Sequence, residues 1–494
     1  MKKKFLLAAM LAGLGFGGSA NAVHVNPDGL GQVLLYPYYT VQNGFDTYVH
    51  VVNTTDRVKA VKVRFLEGMN SQEVLDFNLY LSPYDVWTGV ITRTETGAQL
   101  STTDTSCIAP RQLPATGEAF RNVRYAADET NTLARTREGY LEMIEMGVVN
   151  EDFVLDNVNV ADAATHVHNA DGTSVPLNCV VVRKAASATT LGGGQFNSND
   201  PSYISAPTGG LYGFASVISV NAGLKTSYSA TALDNFADLT AIHHAPGDTL
   251  PSLNNVTTDG DILNNANIFT FPWSPTRPVD VVSAVLMRSA IYNDYVVDAG
   301  RDSKTDWVIT FPTKRFYVGG EGGNKFTTSV AAIPPFQRTW AGNLNLGTNV
   351  PRGGACDTIT LSYWNREERQ HIVVVDEDFS PVPEIDIPEL TLCREVNTLS
   401  FFRDGDKSGS TLFGALYTAA SFTLAPGFDA GWAQVGFNGT LSGGDLSLSG
   451  LPVIGFSGIS NTNAVIEVEG QNVLSNYLGS VEHKASRVIS APLP

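Results

Sequence analysis

Basic side chains are scarce in this chain, with 32 Lys and Arg against 49 Asp and Glu over 494 residues. Such a surface repels phosphate backbones and anionic headgroups, which argues against a nucleic-acid partner. Charge of either sign is low at 16%, beside 43% hydrophobic residues, and that balance excludes intrinsic disorder. Cysteine is limited to four residues, too sparse for a small disulfide scaffold, and no two stand close enough for a CxxC zinc knuckle. The 46 glycines lack the every-third-residue spacing of collagen. No run of about 18 uncharged apolar residues follows residue 22, so a membrane-spanning helix is not expected in the mature chain. Repeats of about 20 to 50 residues are missing, which speaks against a solenoid or propeller. Nucleophile motifs are missing too: there is no GxSxG elbow and no HExxH, and Ser457, within Gly-Phe-Ser-Gly at 455–458, lacks the elbow spacing. The glycine triplet 192–194 has neither the Lys nor the strand-to-helix context of a phosphate loop.

What is present begins with an export signal. Lys2, Lys3 and Lys4 precede an apolar stretch over 5–16, and Ala20 and Ala22 form a small-x-small cleavage site. The apolar stretch is too short for the ~20 residues that span hydrocarbon. Removal of 1–22 leaves 29 basic residues against 49 acidic ones, a formal charge of about −20. In an exported chain an even cysteine count favours disulfides, and the expected pairs are Cys107 with Cys179 and Cys356 with Cys393, one in each half. Each bridge is worth about 4 kcal/mol on a loop-entropy model.

Alternation with period two is clean from residue 48 to about 91, and the stretch from about 92 to 171 is more irregular. Leu75, Phe77, Leu79 and Leu81 share one face of an expected half-buried strand, and Asp76, Asn78 and Tyr80 the other; Val61, Val63 and Phe65 alternate with Lys62 and Arg64. The stretch 139–149 forms a regular island, 191–210 reads as a long loop, and 211–220 as a strand. Further strands are expected at 279–287, 306–311, 315–318, 358–364, 372–375, 411–424 and 432–437, with one short helix near 230–241. Prolines 272, 275 and 278 close a polar zone, marking either a domain boundary or a long insertion within one domain. The resulting expectation is an all-β chain: a signal peptide at 1–22, an immunoglobulin-like β-sandwich with long loop insertions at 23–275, and a second sandwich at 276–494.

Several segments also carry a resemblance. ArgGluGlyTyr at 137–140 leading to GluMetGly at 145–147, GlyLeuTyrGly at 210–213, AlaLeuAspAsnPhe at 232–236, ThrAspTrpValIleThrPheProThrLysArgPhe at 305–316 and LeuProValIleGlyPhe at 451–456 resemble an uncharacterised group of exported Gram-negative bacterial proteins. The resemblance covers most of the mature chain, and it implies no activity.

Four constellations merit a chemical reading. Asp404, Asp406 and Ser408, within Asp-Gly-Asp-Lys-Ser-Gly, match the opening of an EF-hand-type calcium loop, but Ala415 stands where the closing Glu belongs, and the same residues suit a hairpin turn. Asp376, Glu377, Asp378, Glu384 and Asp386 lie near enough in sequence to complete such a site or simply to solvate a loop. His166 with His168, and His243 with His244, are candidate transition-metal nitrogens, with exposed unligated histidines as the plainer reading. Glu142 and Glu145 resemble a carboxylate pair, yet on a strand their odd separation puts them on opposite faces, where a solvated edge and an ion pair with Arg135 or Arg137 are expected. Among the aromatic residues, Trp87, Trp307 and Trp432 are expected in the core, and Trp364, beside the charged 365–368 turn, at the surface as part of a sugar-stacking platform.

Together these features point to an exported, non-enzymatic protein at the cell surface, outside the cell or in the periplasm. The expected role is structural, adhesive or ligand-binding, with protein or glycan partners, no nucleic acid, and no cofactor other than calcium; self-association into a homo-oligomer fits the same composition. A secreted carbohydrate-active enzyme or sugar-binding protein and an outer-membrane β-barrel are the alternatives.

Overall fold

The computed structural model describes residues 22–128, 130–188, 192–319, 331–342, 353–371, 390–403 and 412–491. The expected signal peptide lies outside them except for Ala22, and the calcium-loop residues Asp404, Asp406 and Ser408, the acidic residues 376–386 and the expected strand 372–375 lie wholly outside them.

The chain is mostly β, in several antiparallel sheets. In the first sheet the strands run in the order His24–Val25, Thr231–Asp234, Val33–Thr40, Glu138–Val149, Lys59–Glu67, Glu73–Leu81, Cys107–Ala109, with Ile204–Ser205 also pairing to Glu138–Val149. The second sheet has the order Leu224–Ser229, Leu211–Ser219, Asp46–Asn53, Val86–Arg93, Ala98–Ser101, Glu118–Ala119. The third runs Leu390–Leu392, Asp357–Asn365, Ala430–Phe437, Ala290–Val296, Lys484–Ser486, and the fourth Ala419–Leu424, Val396–Arg403, Ser303–Thr310, Ile454–Val468, Gln471–Glu482. Val396–Arg403 and Ala419–Leu424 pair in parallel. Among the described residues, none of these sheets mixes strands from before and after residue 275, but the cores do mix.

Leu34, Val63 and Leu141 of the first sheet meet Val49, Trp87 and Val217 of the second in one cluster, which also holds Val308, Val396, Phe413 and Phe456 from the other half. The cluster between the third and fourth sheets holds Tyr295, Trp307, Phe401 and Val435 and takes in Val33, Leu35, Ile144 and Leu233 from the first sheet. The first sheet is therefore covered on both faces. This corrects the half-buried reading of its strands: Asn78 and Tyr80 are as buried as Leu79 and Leu81, and the charged Lys62 and Arg64 are buried beside Val61 and Val63. Strands alternate apolar and polar residues here because ion pairs, not water, receive the polar set: Lys62 pairs with Asp76, and Arg64 Nε lies 2.9 Å from Glu73.

The central strand Glu138–Val149 is buried along its whole length. Its neighbour Val33–Thr40 contains Pro37, which a strand interior tolerates only where no ladder donor is needed. Here the register slips between Gly139 and Leu141 opposite Tyr39 and Tyr36, so the bulge accommodates the missing N–H. The Pro37 carbonyl then accepts a hydrogen bond from Thr310 Oγ1 of the fourth sheet at 2.6 Å. Gly68 permits another close approach: a Cβ there would lie 2.4 Å from Thr418 Cγ2.

Of the strand expected at 411–424, the described part is a strand only over Ala419–Leu424, and three further elements differ. Residues 279–287 form a helix, Val279–Leu286, rather than a strand. Its β-branched residues fill a cluster that surrounds it, and tertiary burial overrides their strand preference. The expected helix at 230–241 is the strand Thr231–Asp234 followed by turns, because its apolar residues complete the edge of the first sheet. The 315–318 segment is part of a short 3-10 turn, Lys314–Phe316.

Both disulfides pair as expected. Cys107–Cys179 fastens the helix Cys179–Ala186 to the strand Cys107–Ala109, and Cys356–Cys393 joins the starts and ends of two neighbouring strands. Two such bridges fit an oxidising compartment. Among the described residues no helix is long and apolar enough to cross a membrane.

Glu395 reports on the seam between the halves. It is 1% exposed, its backbone N–H donates to Met69 O at 3.3 Å, and its Oε2 has no hydrogen-bond partner among the described residues. Burial, only partly offset by Lys314 and Arg315, pushes its carboxyl from 4.5 up to about 8. A raised acid is protonated in the folded chain and ionised in the unfolded one, so its stabilising contribution is full below 4.5 and is lost as pH rises through about 8. Urea denaturation across this range is expected to show stability falling with pH, and Glu395→Gln, neutral throughout, to remove part of that slope. An unchanged slope in the variant would contradict the assignment.

Candidate functional site

The third sheet carries the most open chemistry. Period-two alternation sends Tyr363, Ala433, Val435, Ile291 and Tyr295 into the core cluster, so Trp364, Trp432 and Asp294 emerge on the opposite, solvent side. The register places these three in one row: Trp364 opposite Trp432, and Trp432 opposite Asp294 on the next strand. The next row on that face is Ser362, Gln434 and Tyr292.

The two indoles stack with centroids 4.0 Å apart and planes 5° apart, and Trp432 remains 39% exposed. This corrects the core expectation for Trp432, while Trp87 and Trp307 are fully buried as expected. Gly431 makes room beneath the pair, since a Cβ there would lie 1.8 Å from the Trp364 carbonyl oxygen. The adjoining turn is built by Asn365, whose Oδ1 accepts from the backbone N–H of Glu367 at 3.1 Å and Arg369 at 3.0 Å, while its amide donates to Gly427 O at 3.3 Å. Glu368 follows in the left-handed backbone region at φ 63°, which reverses the chain beside Trp364. Tyr295 Oη, donating to Trp364 O at 3.1 Å, ties this end of the strand to the core.

Between these parts lies a cavity of about 560 Å³ lined by Asp294, Val296, Trp364, Arg366, Glu368 and Trp432, among others. That volume falls in the range of pockets that take small ligands. The side chains of Asp294, Arg366 and Glu368 make no hydrogen bond or ion pair with any described residue. A second recess of about 530 Å³ lies along Glu73–Leu81, but two of its cations, Arg111 and Arg121, are both engaged by Glu118 at 2.6 and 2.9 Å.

The other constellations disperse. His243 is buried, with Tyr80 Oη 2.8 Å from Nε2 and Asn197 Oδ1 2.9 Å from Nδ1, and burial pushes it down to about 3. His244 faces Asp248 at 3.4 Å; His166 lies 2.8 Å from Ser82 Oγ, and His168 is exposed. Among the described residues no three His, Cys, Asp or Glu side chains gather as a metal site. Glu142 and Glu145 take different partners, and neither is solvated nor paired with Arg135 or Arg137. Glu142 lies 3.4 Å from Arg64 and 3.3 Å from Arg315, and Glu145 lies 2.7 Å from Lys59. Arg135 is taken by Glu67 at 2.6 Å and Asp128 at 2.9 Å. Ser457 is fully buried, its hydroxyl 3.4 Å from Asp294 O.

The parity of Ala430–Phe437 carries the signal for Trp432, since Ala433, Val435 and Phe437 claim the core and leave Trp432 with Gln434 outside. Asp294 has no such signal, because only the register brings it beside the indole. A stack this close is expected to give an exciton couplet in circular dichroism. Trp364→Ala and Trp432→Ala should each abolish it at a stability cost of about 0.5–1.5 kcal/mol. A wild-type spectrum without the couplet would contradict the stack. The chain matches no protein family, and no match is found among curated proteins or solved structures.

Proposed function

We propose that this chain is an exported, non-enzymatic ligand-binding protein acting at the cell surface or outside the cell. One observation carries the reading: buried charges of the first sheet are met by opposite charges, as Glu145 by Lys59 and Arg135 by Glu67, whereas the cavity above the third sheet holds an exposed indole and rim charges that have no partner among the described residues. Export is supported by the two disulfides and by the basic-apolar-small pattern of the first 22 residues. The resemblance to exported Gram-negative proteins points the same way.

In this reading each pair of sheets acts as a sandwich unit. Trp87, buried between the first two sheets, supports the immunoglobulin-like description of the first unit. Its eight and six strands, and a disulfide that holds a helix instead of bridging two sheets, make it an elaborated form.

The full chain, recovered from an exported fraction, is to be screened by thermal shift against saccharides, peptides and lipids, with each compound then analysed by mass spectrometry. The reading predicts that at least one class raises the melting temperature and is recovered chemically intact. Conversion of any compound, retention of the chain in the cytoplasm, or the absence of any stabilising compound would overturn it.

A further inference from the structure

We propose that the cavity formed by Trp364, Trp432, Asp294, Arg366 and Glu368 is a binding site for a neutral saccharide. This rests on the ligand-binding reading above and assigns its ligand class.

A parallel stack at 4.0 Å uses one face of each indole; the Tyr292 ring lies 6.5 Å from Trp432, which is still 39% exposed, and both indoles line the cavity. The pairing also stiffens each ring, so a ligand meets a preformed wall and little side-chain freedom is lost on binding. An indole face suits the C–H face of a pyranose, which is apolar and flat enough to lie on it. Aromatic walls alone would also suit other ligands, and the rim decides among them. Asp294 and Glu368 offer carboxylate acceptors and Arg366 a guanidinium fork of donors, all three without partners among the described residues. A cationic ligand would gain from the two carboxylates but would meet Arg366; an anionic one would meet Asp294 and Glu368. A neutral polyol gains from both signs, because each hydroxyl both donates and accepts and vicinal hydroxyls match bidentate groups.

The surroundings extend the same chemistry. Ser362 and Gln434 share the solvent face one row along and also lack partners among the described residues, so a chain of sugar rings running along the strands would keep meeting hydroxyl and amide groups. Gly436 keeps that face low beside Thr360, whose Oγ1 would lie 2.4 Å from a Cβ at 436. The platform is thus a strip rather than a single pit.

The test uses the full exported chain, calorimetric titration, and neutral hexasaccharides built from glucose, xylose, mannose or N-acetylglucosamine. Oligolysine and a sulfated hexasaccharide serve as the cationic and anionic comparisons. The expected result is binding of at least one neutral hexasaccharide with a change in tryptophan fluorescence. Affinity should weaken about tenfold or more in Trp432→Ala and in Asp294→Asn. The second variant is nearly isosteric and should keep the circular dichroism spectrum and melting temperature of the wild type, while a single cooperative melting transition and the β-sheet signal, apart from the lost couplet, will show that Trp432→Ala remains folded. The proposal is overturned if no neutral saccharide binds, if both variants bind as tightly as the wild type, or if oligolysine or the sulfated sugar binds this site in preference. Ligand binding that survives both substitutions would overturn this site while leaving the broader reading intact. Absence of binding by every class would end both.

Discussion

The structure depends on the need to satisfy three carboxylates on one strand that water does not reach. Glu138, Glu142 and Glu145 project from Glu138–Val149, and each is fully buried. Burying a carboxylate without partners costs several kcal/mol, so each must be met by donors drawn from elsewhere in the chain. Glu138 accepts from the backbone N–H groups of Leu416 and Tyr417 and from Thr418 Oγ1, all in the second half. Glu142 sits between Arg64 of the first half and Arg315 of the second. Glu145 is held by Lys59 and by the backbone N–H groups of Thr208 and Gly209. The strand thereby specifies how the halves meet. Removing one partner of such a pair costs about 3–5 kcal/mol, whereas the exposed ion pairs contribute about 1 kcal/mol or less.

This interior explains why the solvent face of the third sheet stands apart. Where sheets are covered, aromatic residues pack and many polar groups find partners, as Tyr140 Oη does with Ser71 Oγ at 2.9 Å and Pro312 O at 3.3 Å. On the face that carries Trp364 and Trp432, large apolar rings remain at the surface and the charged groups Asp294, Arg366 and Glu368 have no partner among the described residues. Rigid backing makes that face useful: the same strands turn Tyr295 and Tyr363 inward to pack on each other and on Phe401 and Phe428, so the platform above cannot easily rearrange.

Much of the fold was legible in the sequence because alternation marks strands wherever apolar parity is consistent, as in Lys59–Glu67, Glu73–Leu81 and Ala430–Phe437. The disulfide pairing was legible from one pair of cysteines in each half. Charged parity was misleading. Lys62, Arg64, Glu142 and Glu145 read as solvent-facing, but each is buried against opposite charge: Lys62 with Asp76, Arg64 with Glu73 and Glu142, Glu142 also with Arg315 of the second half, and Glu145 with Lys59. Helix Val279–Leu286 was hidden by its Val-rich composition, which is strand-like locally and becomes helical inside a cluster that surrounds it. At the candidate site Trp364 was legible through its charged turn. Asp294 was not, since its place beside Trp432 is a property of register between strands more than 130 positions apart.

If the central strand joins both halves through buried charge and shared core, the molecule should unfold as one body despite its four main sheets. Scanning calorimetry of the oxidised full chain tests this most directly. The account predicts one transition whose calorimetric and van't Hoff enthalpies agree. Two separable transitions, one for each half, would contradict it.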